Sequence, residues 1–83
     1  MWKCFAVYDC KVEAYFEPFF FKTSGEAIRA IGEAVNKPEH NFCKYAADFT
    51  LFELGSWNEV NASFDLLKTP HNLGVLIEFK KDL

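Results

Sequence analysis

The sequence is poor in the residues from which metal sites and catalytic centres are built. Its three cysteines, Cys4, Cys10 and Cys43, form no C-x-x-C pair, and its two histidines are His40 and His71. His40 and Cys43 stand three apart, but tetrahedral zinc wants four ligands, and Cys4, Cys10 and His71 supply no matching pair. Both histidines therefore read as exposed polar residues. There is no glycine loop to cradle a phosphate, and no serine or cysteine sits in a nucleophile motif. Carboxylates such as Glu26, Glu33 and Glu53 are too numerous for their mere presence to signal acid–base chemistry. The expectation is a protein without cofactor or metal that is not an enzyme.

Other absences bound its surroundings. No apolar run approaches the ~18 to 20 residues that span a bilayer, and the opening residues lack the basic start and apolar stretch of a signal peptide. Three unpaired cysteines fit a reducing cytoplasm. Twelve acidic residues against nine basic ones give a net charge of −3. That balance discourages binding to anionic membrane and strong nonspecific binding to DNA, although a local basic patch can persist on an acidic domain. Internal repeats and low-complexity linkers are also absent.

What is present is apolar mass. Residues 1–83 read as one domain, 51% hydrophobic, with ten phenylalanines. Such a short chain lies near the lower limit for a single unstapled core, so self-association or a bound ligand is expected. The periodicities predict an α+β fold: an antiparallel sheet of four to five short strands with one helix. WKCFAVY, residues 2–8, is apolar on both faces, as a central strand is. A connection through Asp9, Cys10 and Lys11 leads to a partner strand at 12–16, and Pro18 interrupts the ladder. Phe19 and Phe21 then point to one side and Phe20 to the other, so the first two are expected in the core and Phe20 toward a partner.

Thr23 and Glu26 form a capping-box pair, and Ala27, Ile28, Ile31, Ala34 and Val35 repeat at helical spacing, predicting a helix from Ser24 to about Asn36. Gly25, Arg29, Gly32 and Asn36 line its opposite stripe. Either a partner approaches that smooth face and meets Arg29, or Arg29 is held by Glu33 or Glu26 beside a closely packed segment. Residues 37–47 read as a polar connection anchored by Phe42 and Tyr45. A strand at 48–55, a turn at GSWNE, and a strand with Val60, Ala62, Phe64 and Leu66 inward follow. LGVLIEF reads as a final strand, with a short helix begun at Pro70 as the other option. A helix between the third and fourth strands is also the order of an OB barrel, in which oligonucleotides lie across an exposed sheet face.

Aromatic and basic residues adjoin one another in several places: Lys3 beside Trp2, Lys11 near Tyr15, Lys22 after Phe21, and Lys44 between Phe42 and Tyr45. Single-stranded nucleic acid is held by that combination. Solubilising lysines over apolar edges would look the same. The candidate binding residues are Arg29, Lys22, Phe20, Lys11, Tyr15 and Lys44.

Several motifs occur in a recognisable order. F-x-V-x-D-x-K at Phe5, Val7, Asp9 and Lys11, Y-x-x-P-F-F from Tyr15 to Phe20 and G-x-A-x-R at Gly25, Ala27 and Arg29 come first. ADFTLFELG at 47–55, NASF at 61–64 and TP-x-x-LGV from Thr69 to Val75 follow. This series resembles the small nonstructural protein of gokushoviruses, tailless single-stranded DNA phages of the Microviridae, over nearly the whole chain. The resemblance implies a counterpart of the microvirus C protein. Such a protein acts late in infection in the host bacterial cytoplasm, switching replication toward single-stranded DNA synthesis and packaging into procapsids. The resemblance implies the replication complex and the procapsid as partners and does not decide whether DNA is touched; the aromatic–basic neighbours favour single-stranded DNA, and size, composition and charge add a second copy of the chain and no membrane. A protein-only adaptor between replication initiator and procapsid, with no DNA contact, is the alternative. The strand near residues 60–67, with its solvated face, is the expected edge for self-association.

Overall fold

The computed structural model describes residues 1–81. In order it contains β1 (Trp2–Asp9), β2 (Ala14–Tyr15), β3 (Phe19–Phe21), α1 (Ser24–Val35), α2 (Asn41–Lys44), a 3-10 turn at Ala46–Asp48, β4 (Phe49–Asn58), β5 (Ser63–Val75) and a 3-10 turn at Leu76–Phe79. The five strands form one antiparallel sheet, consistent with the α+β expectation. β1 lies inside it, with β4 on one side and with β2 and β3 sharing the other. Pro18 separates those two short pieces, because it cannot donate to the ladder. β5 forms the far edge. Among the described residues no strand pairing joins the two edges, so hydrogen bonds do not close the sheet into an OB barrel.

The helix forms where its caps and apolar spacing place it. Thr23 Oγ1 accepts from the Glu26 N–H at 3.2 Å, and Glu26 Oε1 accepts from the Thr23 N–H at 3.2 Å, so two otherwise unpaired donors are satisfied reciprocally. Ala27, Ile31 and Val35 are buried against Phe5, Val7, Phe49, Leu51 and Leu76, with Phe19 and Phe21 half-buried beside them. Leu51, Phe5 and Leu76 are fully enclosed.

Four expectations are corrected. The second strand is confined to Ala14–Tyr15, and Val12 is exposed, since Glu13 takes φ 58° in the connecting turn. Tyr45 is exposed rather than an anchor, whereas Phe42 packs 5.3 Å from Phe49. GSW continues β4 instead of turning, and the reversal falls at Glu59–Ala62, where Ala62 adopts φ 57°. Val60, Phe64 and Leu66 are therefore exposed, not inward. The separate last strand is the end of β5. Gly55 pairs with Leu66 and Glu53 with His71, leaving Leu67–Pro70 opposite a single β4 residue. This kink is the Lys68-Thr69-Pro70 interruption visible in the sequence. A 3-10 turn at Leu76–Phe79 replaces the strand's end, and Pro70 starts no helix.

Candidate nucleic-acid interface

The single long helix covers one face of the sheet and leaves the other open. Strand alternation carries Phe5 and Val7 toward the helix, so Trp2, Cys4, Ala6 and Tyr8 belong to the open face. The pairing register adds residues to it: Phe20 opposite Cys4, Trp57 opposite Trp2, Phe64 opposite Trp57, and Tyr15 opposite Tyr8. The bulge in β4 at Leu54, which lets Gly55 follow Glu53 in the register with β1, keeps Trp57 on this side.

Two aromatic groups result. At one end Tyr8, Tyr15 and Phe52 pack edge to face, with ring centroids 4.9 Å (Tyr8–Tyr15) and 5.8 Å (Tyr15–Phe52) apart. At the other end Trp2, Phe20, Trp57 and Phe64 line an open concavity of about 480 Å³. Phe64 lies 4.8 Å from Trp57 and 6.3 Å from Phe20. In a flat sheet the β3 and β5 strands would run roughly 14 Å apart, three spacings of about 4.8 Å. Rings this close across that width require the sheet to curl over its open face. Trp2 and Tyr8, one in each group, are six residue steps apart along β1, about 20 Å of strand.

Gly55 makes the curl sterically feasible. A Cβ there would meet the Asp65 carbonyl oxygen and lie 2.7 Å from Leu66 Cα. Cys4, near the middle of the face, is buried, and its thiol is pushed above its ordinary range by that burial.

Charge enters at the rim. Lys22 Nζ sits 4.3 Å from the Trp2 ring centroid and 3.9 Å from Glu59 Oε2. Glu59 also pairs with the Met1 amino group at 3.2 Å. A hydrogen bond to its own backbone N–H, then these cations, holds the Glu59 carboxyl below its usual range. Lys3 is engaged with Glu53 on the helix side at 3.7 Å.

Of the candidate residues, Phe20, Lys22 and Tyr15 meet this face. Lys11 lies in the turn after β1, its N–H donating to Asp9 Oδ1 at 2.9 Å, in a shallow hollow with Tyr45, Asp48 and Phe49. Lys44 ends α2. Arg29 is on the outer side of α1, away from the aromatic face, in a cleft with Ile28, Gly32, Glu33, Asn36, Lys37, Phe79 and Lys81. Among the described residues it forms no ion pair with Glu26 or Glu33. Asn36 builds the cleft's end, donating to the Gly32 and Phe79 carbonyls and accepting from the Lys81 N–H at 2.8 Å. A Cβ at Gly32 would have nothing within 4 Å, so no packing among the described residues explains that glycine.

Sequence reasoning missed Trp2, Trp57 and Phe64 as site residues. The signal was available, since a 12-residue helix can cover only one side of a five-stranded sheet while the strands are aromatic on both.

A family model, Phage ORF5 protein, matches residues 2–79. The chain belongs to the phage ORF5 protein family. Neither a curated protein nor a solved structure matches it. On this chain the aromatic face and the Arg29 cleft are two surfaces with chemistry to offer a partner.

Proposed function

We propose that this phage ORF5 family member is a nonstructural binding protein that acts late in infection, in the host cytoplasm. There it turns replication toward single-stranded genomes and their packaging by holding single-stranded DNA on the open aromatic face. The gokushovirus resemblance supports the stage of infection. One observation carries the DNA reading: Trp2, Phe20, Trp57 and Phe64 form a half-open aromatic concavity with Lys22 at its rim. Bases stack on such rings for roughly 1 to 3 kcal/mol each, without sequence preference, while lysine answers the phosphate.

Both tryptophans of the chain lie in the concavity, so binding has a built-in reporter. Short oligothymidylate should quench their fluorescence. The fall of log affinity with log salt should reflect only about two to four phosphate contacts, given the acidic surface. Unchanged fluorescence together with no mobility shift at low salt would overturn the reading.

A second reading, the protein-only adaptor between replication initiator and procapsid, is favoured by the Arg29 cleft. Arg29, Lys37 and Lys81 there face one carboxylate, Glu33, beside a glycine left open. An adaptor of this kind would bind acidic protein surface and ignore oligonucleotides.

A further inference from the structure

Ile28, Arg29 and Asn36 are the neighbours of Gly32 one turn away along α1 and its cap, and the missing side chain at Gly32 leaves a gap between them. Phe79, from the 3-10 turn at Leu76–Phe79, stands across the gap, and the cleft so formed holds about 670 Å³. Glycine inside a helix is destabilising relative to alanine, yet a Cβ here would touch nothing within 4 Å among the described residues. Close approach by another backbone is what such a bare position admits.

The polar groups of the cleft call for an acceptor. Arg29, Lys37 and Lys81 carry only donors, and Glu33 is the one carboxylate lining the cleft with them, on a chain whose net charge is −3. The Gly32 and Phe79 carbonyls, which would repel an anion, are covered by Asn36 Nδ2 at 2.6 and 3.1 Å. The walls call for apolar surface, since Ile28 and Phe79 are only half-buried. A nucleic-acid strand answers the charge but brings bases, which stack on ring faces, and this cleft has a single ring. A peptide brings a carboxylate, an apolar side chain and a slim backbone together.

We propose that the Arg29 cleft holds a short acidic and apolar peptide segment of a protein partner. A glutamate or aspartate of the segment meets Arg29, an apolar side chain lies between Ile28 and Phe79, and the backbone passes over Gly32. On the adaptor reading above, on which this assignment rests, the partner narrows from an acidic surface to such a segment, and the aromatic face stays free.

Fluorescence polarisation with the full chain tests the site. The probe is a fluorescein-labelled peptide carrying glutamate, leucine and glutamate between glycine–serine flanks. Replacing its glutamates by glutamine, or its leucine by alanine, should each lower affinity about tenfold. Arg29→Lys should do the same, because lysine lacks the planar fork. Gly32→Leu fills the gap without changing charge and should also lower affinity about tenfold, while its melting temperature does not fall, so lost binding is not lost fold. Lys68→Gln removes a positive charge on β5 outside the cleft and should change affinity less than twofold. No binding at about 1 mM peptide overturns the proposal, as does binding that survives both Arg29→Lys and Gly32→Leu or persists in the glutamine peptide. Displacement of the peptide by oligothymidylate or inorganic phosphate at equal charge overturns it too, since the cleft would then be a general anion patch. Peptide binding without association with initiator or procapsid keeps the site and removes the adaptor function. Arg29-dependent procapsid association without peptide binding removes the segment and keeps the adaptor.

Discussion

Phe20 and Phe64 stand on opposite edges of the sheet, and their rings lie 6.3 Å apart with planes inclined by 32°. Where a barrel would bring its edge strands together with hydrogen bonds, this sheet brings them together through two side chains. The contact roofs the buried Cys4 beneath it, and both residues remain substantially exposed on their outer side, Phe20 at 38% and Phe64 at 55%. Aromatic area of that size is costly to leave wet in a small domain unless something stacks on it.

Truncating these rings should separate binding from folding. Phe64→Ala is expected to lower affinity for oligothymidylate about tenfold while moving the melting temperature little, since one lost stacking contact is worth roughly 1 to 3 kcal/mol. Phe20→Ala should behave alike. Phe19→Ala and Phe21→Ala remove half-buried rings from the core side and should each cost about 2 kcal/mol of stability, below the full penalty for a completely buried phenylalanine. Thermal melts and fluorescence titrations on the four variants would show it. A Phe20→Ala protein less stable than the Phe19 and Phe21 variants would contradict the facing of β3.

Much of this was legible in the sequence because it depends on local chemistry. The capping box at Thr23 and Glu26, the helical spacing of Ala27, Ile31 and Val35 and the two-sided apolar run of β1 each specify their element without knowledge of the rest. The hairpin of β4 and β5 was not legible in the same way. Alternation correctly grouped Phe64 with Leu66, but which face is the core depends on where the helix lies, and that is tertiary information. Gly55 and Ser56 resembled a turn, whereas Gly55 is there to let β5 pass close to the strand. The Arg29 stripe was visible from spacing alone. The cleft around it required the return of Phe79 and Lys81 to the end of α1.

If the proposed DNA path holds, Glu59, 3.9 Å from Lys22 Nζ, competes with phosphate for that lysine. Glu59→Gln should raise affinity for single-stranded DNA by about two- to fivefold at low salt, with the gain vanishing at high salt as the charges are screened. Acid should imitate the substitution. Because this carboxyl titrates below its ordinary value, the gain appears only as pH falls below the ordinary glutamate value. In the same window whatever stability the ion pairs give is lost, since a group with a lowered folded value contributes above its unfolded value and ceases to as pH falls through the folded one. Salt-resolved titrations at two pH values would test this, and a variant that binds no better than wild type would detach Lys22 from the DNA path.

Gly32 and Gly55 should respond oppositely to alanine. Gly32→Ala adds a methyl group into open space within a helix and should stabilise the fold by about 1 kcal/mol. Gly55→Ala drives a methyl group into the β5 backbone and should destabilise it by several times that, as overpacking against backbone cannot relax. Denaturant melts decide. A destabilising Gly32→Ala would mean that α1 is packed more tightly than described.

Cys4 and Cys10 should differ in reactivity and in their effect on pH dependence. Exposed Cys10 should react with a thiol reagent at pH 8, while buried Cys4 should be protected until the chain unfolds. Because folding raises the Cys4 value, the unfolded chain releases its proton first as pH rises. Stability from this source is full below about pH 8.5 and declines above it. Cys4→Ala should flatten that alkaline decline. Equal labelling of both thiols in the native protein would contradict the burial of the aromatic face's centre.

Arg29 decides between a DNA-only protein and one that also grips protein. It is the sole arginine of the chain and lies on the side of α1 remote from the aromatic concavity, with Lys37 and Lys81 in the same cleft. If it were there for helix stability, a pairing with Glu33 would be worth only a few tenths of a kcal/mol and lysine would replace it. A planar guanidinium gripping a carboxylate in two places tolerates no such exchange. Arg29→Lys should therefore leave the melting temperature and oligothymidylate quenching nearly unchanged, while reducing association with the replication initiator or the procapsid by about tenfold or more. Co-sedimentation with purified procapsids measures the second quantity and fluorescence the first. Should Arg29→Lys lose DNA affinity instead, the DNA path runs round to the helix side; should it lose neither, the cleft carries no partner.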